Sequence, residues 1–266
     1  MTTIAEYRSS KELFLNLTLR ELRSKYKRSF LGWTWSLVNP LANMVVYSVI
    51  FAYLLRITFP AGHPSGLHKY ALLLLCAMLP WNFFQNSVMG SMGSLTGNSN
   101  LIKKTYFPRE LLPAANVASG LVSHLIELGL LVVVMLGFGN WRAAVDIPYV
   151  LVLVAVVTCL AIGIGLIFSI LNVYFRDIEH FIGILFLIWF YGTPVVYPFT
   201  LVPAHLRLLW KINPMTDAVL CFRSALFDGT RPALLEFGYL VVFAAVALIA
   251  GLALFNKLEG RLAEEL

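Results

Sequence analysis

The chain has 266 residues, of which 59% are hydrophobic and only 13% charged, and its mean hydropathy is strongly positive at +0.78. That composition excludes a soluble domain of this size and points to a chain embedded in a membrane. The formal net charge is +6, with 7 of the 20 Lys and Arg ahead of the first long apolar run, and the three cysteines, Cys76, Cys159 and Cys221, show no C-x-x-C spacing and read as packing residues.

Taken in order, the first element is a cationic amphipathic segment. Leu15, Leu19, Leu22, Tyr26 and Phe30 recur at helical spacing while Arg20, Arg23 and Lys27 fall on the other side, the pattern of a helix lying on an anionic membrane surface. Residues 1–36 are expected to form this cytoplasmic interface helix and its lead-in, and residues 37–266 a transmembrane domain. A signal peptide needs an early apolar core, and the first continuous apolar run begins only near Leu37, so no cleavage is expected. A span needs about 20 apolar residues. Six stretches qualify: 37–57, 71–94, 111–137, 148–171, 179–196 and 236–255. An even count puts both ends on one side. Lys and Arg number 13 in the N-terminal segment, the 95–110 loop, the 172–178 loop and the tail, against 7 in the other connections, which predicts N-in, C-in topology. The expected fold is an all-α polytopic membrane protein.

Residues 197–235 are too many for a hairpin and too apolar for an aqueous loop. Pro194, Pro198, Pro203 and Pro214 interrupt or bound short apolar clusters at 206–210 and 218–227. Two short re-entrant helices dipping into the outer leaflet beside a passage are expected, and the alternative is an extracytoplasmic loop resting on the surface. Small residues at spacing four, in Ser87/Ser91, Gly93/Gly97, Ser119/Ser123, Cys159/Gly163 and Ala247/Gly251, predict close helix association. Asn82, Gln85 and Asn86 follow Pro80 inside the second span, and His124 and Glu127 share one face of the third, so each group should point into protein or water. For His124 and Glu127 the expectation is a structural hydrogen-bonded pair, since an isolated pair lacks the chain of acids that proton relays use.

The chain carries no G-x-x-x-x-G-K-[ST] phosphate loop, no H-E-x-x-H, no G-x-S-x-G and no glycine-rich dinucleotide fingerprint. No catalytic residue, and no ATP hydrolysis by this chain itself, is expected. Asp177, Glu179 and His180 cluster at a span end, where a helix-boundary charge cluster accounts for them better than a metal site, so no metal ligand is assigned.

The run SKYKRSFLGWTWSLVNP (24–40) resembles the opening signature of the polysaccharide-exporting permeases of the ABC-2 family. Further matches follow in order: LPWNFF (79–84), SNLIKKTYFPRELLP (99–113), LNVYFRDIEH (171–180), TPVVYP (193–198) and NPMT (213–216), so the resemblance covers essentially the whole chain. Within the family it is most similar to the O-antigen (Wzm-type) permeases. The resemblance implies a permease subunit of an ABC exporter in the bacterial inner membrane, working with a second copy of itself and two ABC ATPase subunits. ATP and Mg would then sit on the partner ATPase, with no cofactor in this chain and no nucleic-acid partner. It further implies ATPase-coupling roles for Asn100, Lys103, Lys104, Tyr106, Pro108 and Arg109, and for Arg176 and Asp177; positive-inside topology alone would also account for the two lysines.

The implied cargo is an undecaprenyl-diphosphate-linked polysaccharide. Sugar C–H faces rest on aromatic rings, which makes Tyr47, Phe51, Phe186, Trp189, Phe190 and Tyr191 candidates to line the passage, ordinary bundle core being the alternative for each. Arg23, Lys25, Lys27 and Arg28 are candidates to guide the carrier's diphosphate head, or to anchor the segment to lipid. Capsular polysaccharide or teichoic acid export is the nearest rival. A membrane glycosyltransferase would be expected to show paired catalytic carboxylates, and no Asp-x-Asp is present. A secondary transporter would be expected to repeat its broken helices in two halves.

Overall fold

The computed structural model of the chain describes residues 11–26, 32–56, 59, 61–105, 107–175 and 177–262. The principal helices are α1 (Lys11–Tyr26), α2 (Trp35–Tyr47, prolonged by a π-helical stretch Ser48–Leu54), α3 (Tyr70–Met92), α4 (Ser99–Lys104), α5 (Leu111–Gly137), α6 (Ile147–Tyr174), α7 (Ile178–Tyr191), α8 (Arg207–Ile212), α9 (Pro214–Arg223) and α10 (Leu234–Leu258). Among the described residues, five helical segments are long and apolar enough to cross a membrane: Leu37–Leu54, α3, α5, α6 and α10.

The bundle is organised around α3. Its apolar window is 78% buried, against 6% for Leu37–Leu54, so α3 is the hub and α2 an outlying helix. α3 packs on α5, α6 and α9, and α6 packs along α10. Small residues set these distances, as their spacing predicts. A Cβ on Gly163 of α6 would run into the backbone of Ala247 in α10, and one on Gly251 into the backbone of Gly163; a Cβ on Gly165 would lie 2.9 Å from Ser91 Cβ. Between α3 and α5, a Cβ on Gly120 would come within 3.0 Å of Ser87 Oγ. In lipid there is no hydrophobic drive between helices, so such backbone approach is where dispersion contacts are gained. The Gly93/Gly97 pair does not serve this purpose, since both positions face open space at the end of α3.

The expected span 179–196 is shorter than predicted. α7 has 14 residues and ends at Gly192, about 21 Å at 1.5 Å per residue, less than the roughly 30 Å hydrocarbon core. Pro194 cannot continue the helix. Beyond it the chain runs as buried, non-helical backbone whose carbonyls are satisfied by side chains. Tyr70 Oη donates to Val196 O at 2.8 Å, and Arg223 donates through Nη2 to Val195 O at 2.6 Å and through Nη1 to Tyr197 O at 3.1 Å.

In the 197–235 region α9 is enclosed by the bundle, with Met215, Ala218, Val219, Cys221 and Phe222 at 0% exposure. A loop resting on the surface does not describe it. Its start is fixed by Pro214 at N1 and by Asn213, whose side chain accepts from Met215 N at 3.0 Å. Of the two short helices expected, only α9 is enclosed; α8 leaves Leu208, Leu209 and Ile212 exposed.

α1 lies on α5. Its inward stripe is Leu17, with Leu13 and Phe14, whereas Leu15 and Leu19 of the predicted stripe are exposed. The helix therefore has two apolar stripes, one spent on the protein and one left exposed. Arg20 also departs from expectation, donating to Asn98 Oδ1 at 2.7 Å instead of facing away from the chain. The Tyr26 side chain, and Lys27, Arg28 and Phe30, lie outside the described residues. A second hydrophobic cluster joins Leu17, Ile102, Phe107, Val173, Phe255 and Leu262. It gathers α1, the 95–110 loop, the end of α6 and the tail at one end of the bundle, the four segments that the Lys and Arg distribution groups together.

Candidate functional site: an aromatic groove, a polar cavity and an exposed loop

Trp81 of α3 stands at the centre of an aromatic cluster. Its ring centroid is 5.7 Å from Phe190, 6.0 Å from Trp189 and 6.2 Å from Phe186, all on α7. Phe186 and Trp189 stack at 5.5 Å, and Tyr47 of α2 reaches Phe190 at 5.9 Å and Phe51 at 6.2 Å. A groove of about 430 Å³ runs along this cluster, lined by Tyr47, Trp81, Phe186 and Phe190 with Asn43 and Gln85. Trp81 Nε1 donates to Gln85 Oε1 at 2.9 Å, so the indole is held edge-on and its position is set within one helix. The α7 wall is fixed from the other side. Trp189 Nε1 donates to Asn213 Oδ1 at 2.7 Å, and Asn213 Nδ2 donates to Thr193 Oγ1 at 2.8 Å, so one asparagine both caps α9 and holds the aromatic wall.

The structure thus brings together Tyr47, Phe51, Phe186, Trp189 and Phe190 from the sequence reading. Tyr191 is half exposed and meets Phe190 of the cluster at 5.2 Å. Trp81 and Phe84 were missed as members; they stand in the LPWNFF run, where two aromatic positions three apart on an apolar helix were the available signal.

Next to the groove, sharing Asn82 with it, lies a polar cavity of about 350 Å³, bordered by Lys25 of α1, Asn39 of α2, Asn82 and Asn86 of α3, and His124 and Glu127 of α5. Asn82, Asn86 and Gln85 face cavity or groove, as intramembrane amides must. The expected His124–Glu127 hydrogen bond is absent. The His124 ring is 2% exposed and stacks on Phe83 at 4.7 Å, and neither of its nitrogens has a hydrogen-bond partner among the described residues. Stacking on α3 turns the ring across the helix face, away from a neighbour one turn along its own helix. Arg23 is exposed and does not line the cavity.

At the end gathered by the second cluster, Asn100, Lys103, Lys104 and Asp177 are exposed. Pro108 is buried, and Arg109 donates to the Glu259 carbonyl, so these two of the predicted coupling residues serve the chain's own packing. Phe107 is 8% exposed within the second cluster for the same reason: an apolar ring ends a short loop more favourably inside than out. Burial, with Glu110 beside it, holds the Glu259 carboxyl above the usual range. Tyr106 and Arg176 lie outside the described residues. Among the described residues no group of three His, Cys, Asp or Glu could hold a metal ion.

The family profile described as ABC-2 type transporter matches residues 12–227. Over 261 residues the chain is 31% identical to an O-antigen export system permease protein RfbA of Klebsiella pneumoniae, covering 95% of this chain and 94% of that protein. It is 27% identical over 256 residues to a protein of the same name from Myxococcus xanthus, covering 96% and 95% of the two chains. A polysialic acid transport protein, KpsM of Escherichia coli, is 27% identical over 248 residues, covering 91% and 92%.

Proposed function

The chain belongs to the ABC-2 type transporter family, and from that premise we propose that it is the permease subunit of an exporter that moves lipid-linked O-antigen polysaccharide outward across the bacterial inner membrane. The observation that carries this reading is the aromatic groove between α2, α3 and α7. Ring faces bind sugar C–H surfaces weakly and repeatedly, which suits a long polymer that must slide and not stop. The outward faces of the two flanking helices are apolar and exposed, with Val45, Val46 and Tyr53 on the first span and Ile184, Leu187 and Ile188 on α7. Two copies meeting on these faces would enclose the groove as a passage. α7 with the buried 192–197 segment serves as the fifth of six crossings, the termini are cytoplasmic, and α9 lines the outer end as a re-entrant helix.

The driving force comes from two separate ATPase subunits that bind ATP and Mg. ATP-driven closure of those subunits reaches the spans through the exposed face of α4, Asn100, Lys103 and Lys104, with Asp177 and, from outside the described residues, Tyr106 and Arg176. Arg23 and Lys25, with Lys27 and Arg28, attract the diphosphate of an undecaprenyl carrier to the cytoplasmic surface. Capsular polysaccharide is the second cargo to test, and the polysialic acid transport relative supports an exported polysaccharide other than O-antigen.

The test is transport in proteoliposomes holding this chain and its ATPase, with radiolabelled lipid-linked polymer supplied outside inverted vesicles. Tyr47→Ala with Phe190→Ala, two half-buried rings that line the groove, is expected to lower polymer uptake more than tenfold while the complex still assembles and hydrolyses ATP. Uptake unchanged in the double variant removes the groove from the pathway, and uptake of capsular polymer in preference to O-antigen replaces the cargo.

A further inference from the structure

The polar cavity beside α5 does not end where its polar lining ends. At Pro40 and Glu127 it meets a small apolar cleft of about 50 Å³, walled by Leu37, Leu41, Leu79, Leu130 and Val134. The two chambers follow each other along the same helices. On α5 the polar stretch runs from Asn116 to Glu127 and the apolar one from Glu127 to Val134, about 16 Å and then about 10 Å at 1.5 Å per residue. On α3, which runs the opposite way, the sequence is Gly90 to Asn82 and then Leu79 to Leu75. The polar chamber is the one nearer α1 and the 95–110 loop.

A polar pocket continued by a hydrocarbon-lined cleft has the layout of an amphiphile. The charge of the polar chamber is balanced, one Lys25 ammonium against one Glu127 carboxyl, and the rest of its lining is rich in amides that both donate and accept, from Asn39, Asn82, Asn86 and Asn116. His124, 2% exposed and bordering the chamber, leaves both ring nitrogens without a hydrogen-bond partner among the described residues. Buried polar groups of this kind are ordinarily satisfied by a bound molecule or water. An anionic diphosphate would set its charge against Glu127, and a free sugar would leave the apolar cleft unused. We propose that the paired chambers are a binding site for one phosphatidylethanolamine molecule, its phosphate toward Lys25, its ammonium donating to Glu127, and a short stretch of an acyl chain in the cleft. Head toward α1 and chain away from it is the orientation of a lipid in the leaflet on which α1 lies. The inference needs only that the chain resides in a membrane and is independent of the cargo.

The measurement is native mass spectrometry of the detergent-purified full chain, with dioleoyl phosphatidylethanolamine, phosphatidylcholine or phosphatidylglycerol added at equal concentration, and a polyprenyl diphosphate as fourth probe. Phosphatidylcholine keeps both charges but has no ammonium N–H, so the wild-type chain alone tests the donor. One phosphatidylethanolamine retained per chain, about tenfold tighter than phosphatidylcholine or phosphatidylglycerol, is expected, since loss of one charge-assisted hydrogen bond is worth about that factor. Glu127→Gln should abolish the preference, and Val134→Trp, which fills the cleft, should lower retention of all three. Equal retention of the three lipids would reduce the site to ordinary lipid contact. Preferential retention of the polyprenyl diphosphate would overturn the assignment in favour of the carrier.

Discussion

At the scale of single residues, the informative positions are those where one side chain or one hydrogen atom serves two elements. Gly163 is the clearest packing case. Its Cα faces the backbone of Ala247, so any side chain must separate α6 from α10. Gly163→Leu is expected to cost about 3 kcal/mol or more, read as loss of thermal stability in detergent. Asn213 joins the start of α9 to the aromatic wall through Trp189 and Thr193. Asn213→Ala removes an N-cap worth about 1 kcal/mol and strands an indole N–H. Trp189→Phe, which deletes that donor, should recover part of the stability in the double variant, and a double-mutant cycle on melting temperature measures the coupling. Simple additivity would mean that the asparagine acts only as a cap. The spacing of small residues made Gly163 readable in advance. The role of Asn213 was not, because its partners stand 20 and 24 residues away.

Among the elements, α1 and α4 separate what faces the protein from what is exposed. The inward stripe of α1 is Leu17 with its neighbours, which leaves Leu15 and Leu19 exposed, and α4 keeps Ile102 inside while presenting Lys103 and Lys104. Replacing both lysines by Glu is expected to leave the stability within about 0.5 kcal/mol of the parent, as exposed substitutions usually do. It should lower export-coupled ATP hydrolysis in the reconstituted complex severalfold. A Phe107→Ala change would not isolate coupling, since that ring is buried and its truncation costs about 3 kcal/mol. The periodicity of 11–26 shows a helix, but with apolar residues on two faces it could not say which face is covered. That depended on the position of α5.

For the whole molecule, the first span and α7 are the sparsely covered parts, and they flank the aromatic groove. A second copy covering them is expected to be caught by cysteine cross-linking. Val46→Cys or Ile188→Cys, in a background with Cys76, Cys159 and Cys221 replaced, should give disulfide-linked dimers in native membranes. Monomer at every position tested would leave those faces to lipid. By itself the sequence determined the membrane class, most of the helical segments, the segments that share an end and some of the small residues at contacts. These are written in local composition and in period, and apolar length in a bilayer admits few alternatives. Only the tertiary structure decided that Trp81 centres the aromatic cluster, that α9 is enclosed, that His124 stacks on Phe83 without pairing with Glu127, and that the polar cavity opens into an apolar cleft. Each depends on which faces of separate helices meet, and that is set by packing between residues distant in the chain, where no local pattern points.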